Sequence, residues 1–202
     1  MKRIFSILSV LALCISASAQ QATDQKTLLE PTISAEISPM FFLANGYRAN
    51  LTLGYKHWDY NLTSYSHRVF DDVQEIAFTQ SEGIDVENNT AVQAVATWLP
   101  STQRKNFFIG GGISPEWYRL RDTITQASTN AKTTYALLTA GAQVFPFQEY
   151  FYLKLQVNVK YALTDTKAQT FEGHTYEIAK LTGIPHWSVG VRVPLADLSG
   201  KP

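Results

Sequence analysis

Between Phe151 and Tyr161 the side chains alternate without a break. Phe151, Leu153, Leu155, Val157, Val159 and Tyr161 fall on one side of an extended chain, and Tyr152, Lys154, Gln156, Asn158 and Lys160 on the other. A helix, repeating about every 3.6 residues, would spread those apolar residues around its axis; a strand, repeating every 2, gathers them on one face. The pattern recurs. Tyr47, Ala49, Leu51, Leu53 and Tyr55 oppose Arg48, Asn50, Thr52, Gly54 and Lys56; Phe107, Ile109, Ile113, Pro115 and Trp117 oppose Phe108, Gly110, Gly112, Ser114 and Glu116; Trp187, Val189, Val191, Val193 and Leu195 oppose His186, Ser188, Gly190 and Arg192. With weaker stretches included, eight strands are predicted: 33–43, 47–55, 58–67, 90–99, 107–117, 134–145, 151–161 and 186–195.

Connection lengths order these strands. Short turns are expected at Lys56-His57, at 100–105 and at 146–149, and long polar segments at 70–89, 121–132 and 164–184. Short turns at one end and long loops at the other are the habit of an up-and-down outer-membrane barrel. Between the first two strands, Ala44, Asn45 and Gly46 taken as a three-residue loop with Gly46 left-handed would pair Leu43 with Tyr47 and Phe41 with Ala49, keeping both apolar faces on one side.

Alternation does not say which face points outward, and a soluble exported barrel or sandwich would show the same period. Length and composition favour lipid. Phe151 to Tyr161 and Phe107 to Trp117 each span about 25 Å along a barrel tilted by roughly 40°, the height of an outer-membrane apolar band. Tyr47, Tyr55, Phe107, Trp117, Phe151, Tyr161 and Trp187 are accordingly expected to form its aromatic girdles. The opposite face is rich in Gly, Ser, Thr, Asn and Gln, and its few charges, Glu36, Arg48, Lys56, Glu116, Lys154, Lys160 and Arg192, are of both signs. In the narrow interior of eight strands these should pair, because an unpaired buried charge costs several kcal/mol. Arg48 and Arg192 are the basic residues expected nearest Glu36, with Glu116 neutralised among Arg48, Lys154 and Arg192. A packed interior is expected, not an open channel.

The first residues read as an export signal. Lys2 and Arg3 precede an apolar stretch over 4–15, and Ala17-Ser18-Ala19 has the small-x-small spacing of a cleavage site, so 1–19 is assigned as a signal peptide and 20–202 as the barrel domain with a short polar N-terminal segment. The apolar stretch is shorter than the ~20 residues that span a bilayer. Cys14, the one cysteine, leaves with the signal, and the bulky Leu13 before it is wrong for a lipoprotein site. Lys+Arg and Asp+Glu each number 17, which argues against direct nucleic-acid binding, for which a basic excess would be needed.

Little in the chain carries chemistry. His57, His67, His174 and His186 lack metal-ligand spacing, so no metal or cofactor is expected. Gly110-Gly111-Gly112 has no Lys-Ser/Thr after it and lies inside a strand, where it makes room for neighbours. Asn50, Asn61 and Asn88 each begin an Asn-x-Thr triplet, two of them within strands. His186 and Ser188 share a face, as in barrel enzymes that deacylate lipid A, yet they are expected inward, away from lipid. No catalytic residue is assigned. The long segments do carry apolar residues that would be costly in water, namely Ile76, Phe78, Phe171, Tyr176 and Ile178; these are expected to pack on one another over the barrel mouth or against a surface partner.

Three motifs, Gly46-Tyr47-Arg48-Ala49-Asn50-Leu51, Lys105-Asn106-Phe107 through Pro115-Glu116-Trp117, and 149–156 (Glu-Tyr-Phe-Tyr-Leu-Lys-Leu-Gln), resemble in order and spacing the conjugative-transposon protein TraO family of small exported barrels. The segment 167–184 is longer than that family's corresponding loop, and the last strand runs on into a tail in place of an aromatic end. The resemblance implies a non-enzymatic accessory role in the outer membrane of a Gram-negative conjugation system, with lipid around a monomeric barrel and other envelope proteins met through the extracellular loops. The alternatives are a general porin-like or adhesin-like barrel binding a surface partner and, further off, a lipid-modifying barrel enzyme.

Overall fold

The computed structural model describes residues 31–69, 74, 76–100, 106–146 and 150–195; the segment 1–19 read as a signal peptide and much of two short turns lie outside the described residues. The chain forms β1 (Thr32–Ile37), a short helix α1 (Pro39–Leu43), β2 (Tyr47–Tyr55), β3 (Trp58–Arg68), β4 (Phe78–Gln80), β5 (Ile84–Trp98), β6 (Asn106–Asp122), β7 (Ser128–Val144), β8 (Phe151–Ala162), β9 (Gln169–Phe171), β10 (His174–Ile178) and β11 (Leu181–Pro194). Eight of these strands close into an antiparallel barrel in the order β1-β11-β8-β7-β6-β5-β3-β2, and β4, β10 and β9 make a small separate sheet. Closure runs through β1, whose Glu36 pairs with Gly190 on one side and Asn50 on the other. No helix among the described residues is long and apolar enough to cross a membrane.

The wall is inside-out relative to a water-soluble barrel. Leu51, Leu53, Leu62, Ile109, Ile113 and Leu138 are exposed on the outer face, Leu138 to 67% and Ile109 to 58%, while Thr52, Asn61, Thr63, Gln93, Thr139, Gln156 and Asn158 are buried within. Glycines let neighbouring strands come close: a Cβ on Gly112 would lie 2.0 Å from the Ala94 carbonyl oxygen, and one on Gly141 would lie 2.2 Å from that of Leu155. The Gly110-Gly111-Gly112 run is thus a wall element of β6.

Five expectations from alternation need correcting. The first strand ends at Ile37 instead of continuing to Leu43, because Pro39 has no N–H to pair and the unbroken apolar run Met40-Phe41-Phe42-Leu43 coils into α1. Ile37, not Phe41, therefore pairs with Ala49, and the left-handed residue of that connection is Asn45 (φ 51), not Gly46. The segment 121–132 is mostly strand: β6 and β7 run to Asp122 and from Ser128, leaving the turn 123–127. The last strand begins at Leu181, with Pro185 tolerated in a stretch that has no β1 partner. The segment 70–89 is shortened from its end, since β5 starts at Ile84; its pairing with β6 shifts between Asn88 and Thr90, and its pairing with β3 shifts between Tyr65 and His67. Ile84, Val86 and Asn88 face inward before this bulge and Ala91 and Gln93 after it, so a reading of period 2 stops at Thr90.

Candidate functional site

The barrel interior holds the charges in three groups. Nearest the short turns, Arg192 Nη2 donates to Asp59 Oδ2 at 2.7 Å, with its guanidinium over the rings of Tyr152 and Phe145. At mid-height the Glu36 carboxylate faces two cations, Arg48 Nη1 at 3.6 Å and Lys154 Nζ at 3.4 Å, and accepts from the Tyr152 hydroxyl at 3.0 Å. Toward the long loops, Glu116 accepts from Lys160 Nζ at 2.6 Å, from the hydroxyls of Tyr65 and Tyr118 at 2.5 Å, from Ser114 at 2.9 Å and from Asn88 Nδ2 at 3.1 Å. Strand parity aims all of these side chains inward.

Glu36, Arg48, Glu116, Lys154, Lys160 and Arg192 are buried in the lumen, and Glu36 meets Arg48 as expected, with Lys154 beside it, while the other pairings differ. Arg192 does not serve Glu36. It lies opposite Ser34, two residues nearer the short turns, and reaches across the barrel to Asp59. Glu116 is met by Lys160, not by Arg48, Lys154 or Arg192. Lys56 is not inward at all, since the chain turns there with φ 53 and the side chain is exposed over the Tyr55 ring. Asp59 escaped notice although its alternation with Trp58 and Tyr60 marks it as inward. Tyr65, Tyr118 and Tyr135 also escaped, because a tyrosine in an alternating strand suits either face.

Tyr47, Tyr55, Phe107, Trp117, Tyr161 and Trp187 are exposed on the outer wall, joined there by Trp58, Tyr60 and Trp98, while Phe151 is half-buried. Tyr55, Trp58 and Trp98 are consecutive cross-strand partners at the short-turn end. Trp187 pairs with Leu155, well inside the strand and away from either rim.

The long-loop end is lidded. Phe78, Tyr176 and Ile178 from the small sheet pack with Val69, Ala77, Ile84, Val86, Tyr118, Leu120, Ala131, Tyr135 and Ala162, and Phe171 lies against them. Phe78 meets the Tyr118 ring edge-on with centroids 5.3 Å apart, and the Tyr118 hydroxyl in turn reaches Glu116. The apolar lid and the polar network are therefore one continuous plug. Ile76 is the exception among the loop residues, being 48% exposed outside this cluster. Asp122, at the top of β6, ties the rim together: Oδ1 accepts from the backbone N–H of Thr125 at 2.5 Å and of Ile124 at 2.9 Å, and Oδ2 lies 2.9 Å from His174 Nε2 on β10. The Thr125 and Ile124 amides, helped by His174, hold its carboxyl below the usual carboxylate range against the opposing effect of burial.

Among the described residues no group of three His, Cys, Asp or Glu side chains could hold a metal ion. His186 Nε2 and Ser188 Oγ are buried inside the barrel, and neither atom has a hydrogen-bond partner among the described residues.

No protein-family model and no curated protein matches the chain. Solved structures resemble it at low identity. The N-terminal β-barrel domain of OprF from Pseudomonas aeruginosa is 15% identical, with 82% of this chain and 98% of that one covered and a TM-score of 0.42. Neisserial surface protein A (NspA) is 11% identical, with 81% and 95% covered and a TM-score of 0.45. The fold itself rests on the closed strand pairing.

Proposed function

We propose that this protein is an outer-membrane barrel that works as a mount, holding its long-loop rim at the cell surface. The outer wall carries the argument. An apolar belt this continuous would be very costly in water, each fully covered Leu or Ile being worth about 1.5–3 kcal/mol, and lipid is the solvent that covers a whole barrel at once. The lidded interior speaks against a channel: the mid-lumen cavity between Glu36, Arg48 and Lys154 is about 20 Å³, on the scale of a single water. Carbonate washing should leave the protein with outer membranes, and the purified barrel in a planar bilayer should conduct no steady current. Release into the periplasmic fraction would overturn the membrane reading, and a steady open-channel conductance would overturn the mount.

The accessory role in conjugation rests on the three motifs that resemble the TraO family. It places the working surface on the rim, over 70–89 and 164–184. Shortening both segments should leave a heat-modifiable barrel and abolish transfer of conjugative DNA, whereas transfer at normal frequency would favour a general adhesin-like barrel.

A further inference from the structure

β7 outruns β8. The two pair from Val144 up to Tyr135, opposite Ala162, while β7 continues beside β6 to Ser128. Past Ala162 the chain stays tied to β7 for one more step, the Leu163 N–H donating to the Thr134 carbonyl at 2.8 Å and Thr164 Oγ1 meeting Thr133 Oγ1 at 2.7 Å, and then leaves it. A groove of about 650 Å³ opens between the two, with Trp117, Asn130, Lys132, Thr134, Asp165 and Lys167 among its lining residues, a volume in the range of small-molecule sites. Four charges line it. Glu116, at its inner end, is engaged by Lys160, and Asp165 lies 3.2 Å from Lys167. Lys132 remains, exposed and without a carboxylate partner among the described residues.

Height and charge select the ligand. Trp117 is exposed on the outer wall, opposite Lys132 across the β6–β7 pairing, and stands at the long-loop edge of the apolar band that starts at Phe107. Above it on the same face come Arg119 and Arg121, about 5 and 10 Å higher at roughly 2.5 Å of height per residue. The head-group layer of a bilayer is about 5–7 Å deep on each side, so Lys132 and Arg119 stand within it. Few acids answer them: Glu87 lies 4.0 Å from Arg119, and Asp85 is given to Arg68 at 3.2 Å, which leaves Arg121 without a carboxylate partner among the described residues. The other described acids of this end, Glu82, Glu172 and Glu177, belong to the small sheet and its turns, and Asp122 faces inward onto His174. Lys132 and Arg119 are diagonal neighbours on adjacent strands, roughly 7–8 Å apart, so both side chains reach one phosphate, the arginine with its planar fork. Below them Ile113 and Leu138 are exposed on the wall, where acyl chains would lie. We propose that this groove binds the phosphorylated head group of an outer-leaflet lipid, its phosphate on Lys132 and Arg119, its polar remainder among Asn130, Thr134 and Lys167, and its chains running down over Trp117.

The site rests on the membrane reading above, and its test keeps the two apart. Native mass spectrometry of the full-chain barrel in dodecyl maltoside uses dioleoyl phosphatidic acid as the probe and dioleoylglycerol, which lacks the phosphate, as its uncharged counterpart. One saturable phosphatidic acid adduct is expected, at least tenfold tighter than dioleoylglycerol. Lys132→Gln and Arg119→Gln should each weaken it at least fivefold, with assembly checked by heat-modifiable migration, whereas Lys56→Gln, which removes an exposed cation at the opposite rim, should leave it unchanged. Excess inorganic phosphate should leave the adduct in place. Non-saturable binding, equal binding of dioleoylglycerol, undiminished affinity in Lys132→Gln and Arg119→Gln, or an equal loss in Lys56→Gln would overturn the site, and displacement by inorganic phosphate would overturn the lipid in favour of the free anion. A barrel that fails this test yet stays with outer membranes through a carbonate wash loses the site alone; release by the wash removes the membrane reading itself.

Discussion

Replacing Glu116 with alanine tests the interior most directly. Its carboxylate is 1% exposed and accepts from Lys160, Tyr65, Tyr118, Ser114 and Asn88, so its removal strands an ammonium that is itself only 8% exposed. Breaking one partner out of a buried pair costs about 3–5 kcal/mol. Lys160 retains the Tyr65 hydroxyl at 2.9 Å, which offsets part of this, while Tyr118 loses its acceptor. A net loss of about 4 kcal/mol is expected, on the order of a thousandfold in the folded-to-unfolded ratio. Removing both charges in Glu116→Leu/Lys160→Met should recover most of the loss, because a well-packed apolar pair of similar volume costs little. Urea unfolding in lipid vesicles, followed by tryptophan fluorescence and heat-modifiable migration, measures all three proteins. An unchanged midpoint for the alanine variant, or a double variant as unstable as the single, would refute the view that this network is a charge pair held against desolvation.

Phe78→Ala should cost about 3–5 kcal/mol locally and open the lid while the barrel stays assembled, detected as faster proteolysis in the segment 164–180. Gly112→Val drives a branched side chain at the Ala94 carbonyl and should slow or prevent assembly, read from the heat-modifiable fraction after refolding. Asp122 gives the rim a pH dependence. Because its folded carboxyl titrates below its unfolded range, its contribution is complete above about pH 4 and is lost as pH falls through the folded value. Amide protection of Thr125 should therefore decline in acid in the native protein and not in Asp122→Asn; identical acid profiles would rule out this carboxyl as the source.

Where one side of the wall is uniformly apolar, as over 151–161, the sequence alone places strand, face and register. It falters where parity or composition changes. Asn89, inside the β5 bulge, interrupts the alternation, and Gly183 and Pro185 break the apolar stripe on the outer face of β11 over its first residues, so both strands read as shorter than they are. Apart from Lys56 the charges were legible as inward, and so was the Glu36–Arg48 pair, but the remaining partners were not. Arg192 and Asp59 meet across the lumen from β11 and β3, and a linear pattern holds no information about which long side chain spans a barrel. The lid was legible as an apolar surplus in the segments 70–89 and 164–184, while its form, a small sheet joining β4 to β10 across about a hundred residues of sequence, depends on the barrel bringing those segments together.

The β5 bulge has a consequence for how such a wall can change length. An odd insertion in a plain strand turns every later side chain to the wrong face, so a barrel strand ordinarily grows or shrinks by pairs of residues. With one residue already absorbed near Asn89, deleting it would carry Val86 out of the lid and toward the outer wall, and a second single-residue insertion at the same place would do the same. The rim above β5 is thus framed by a single supernumerary residue, and paired insertions between Ile84 and Asn88 are the length changes that the lid can accept.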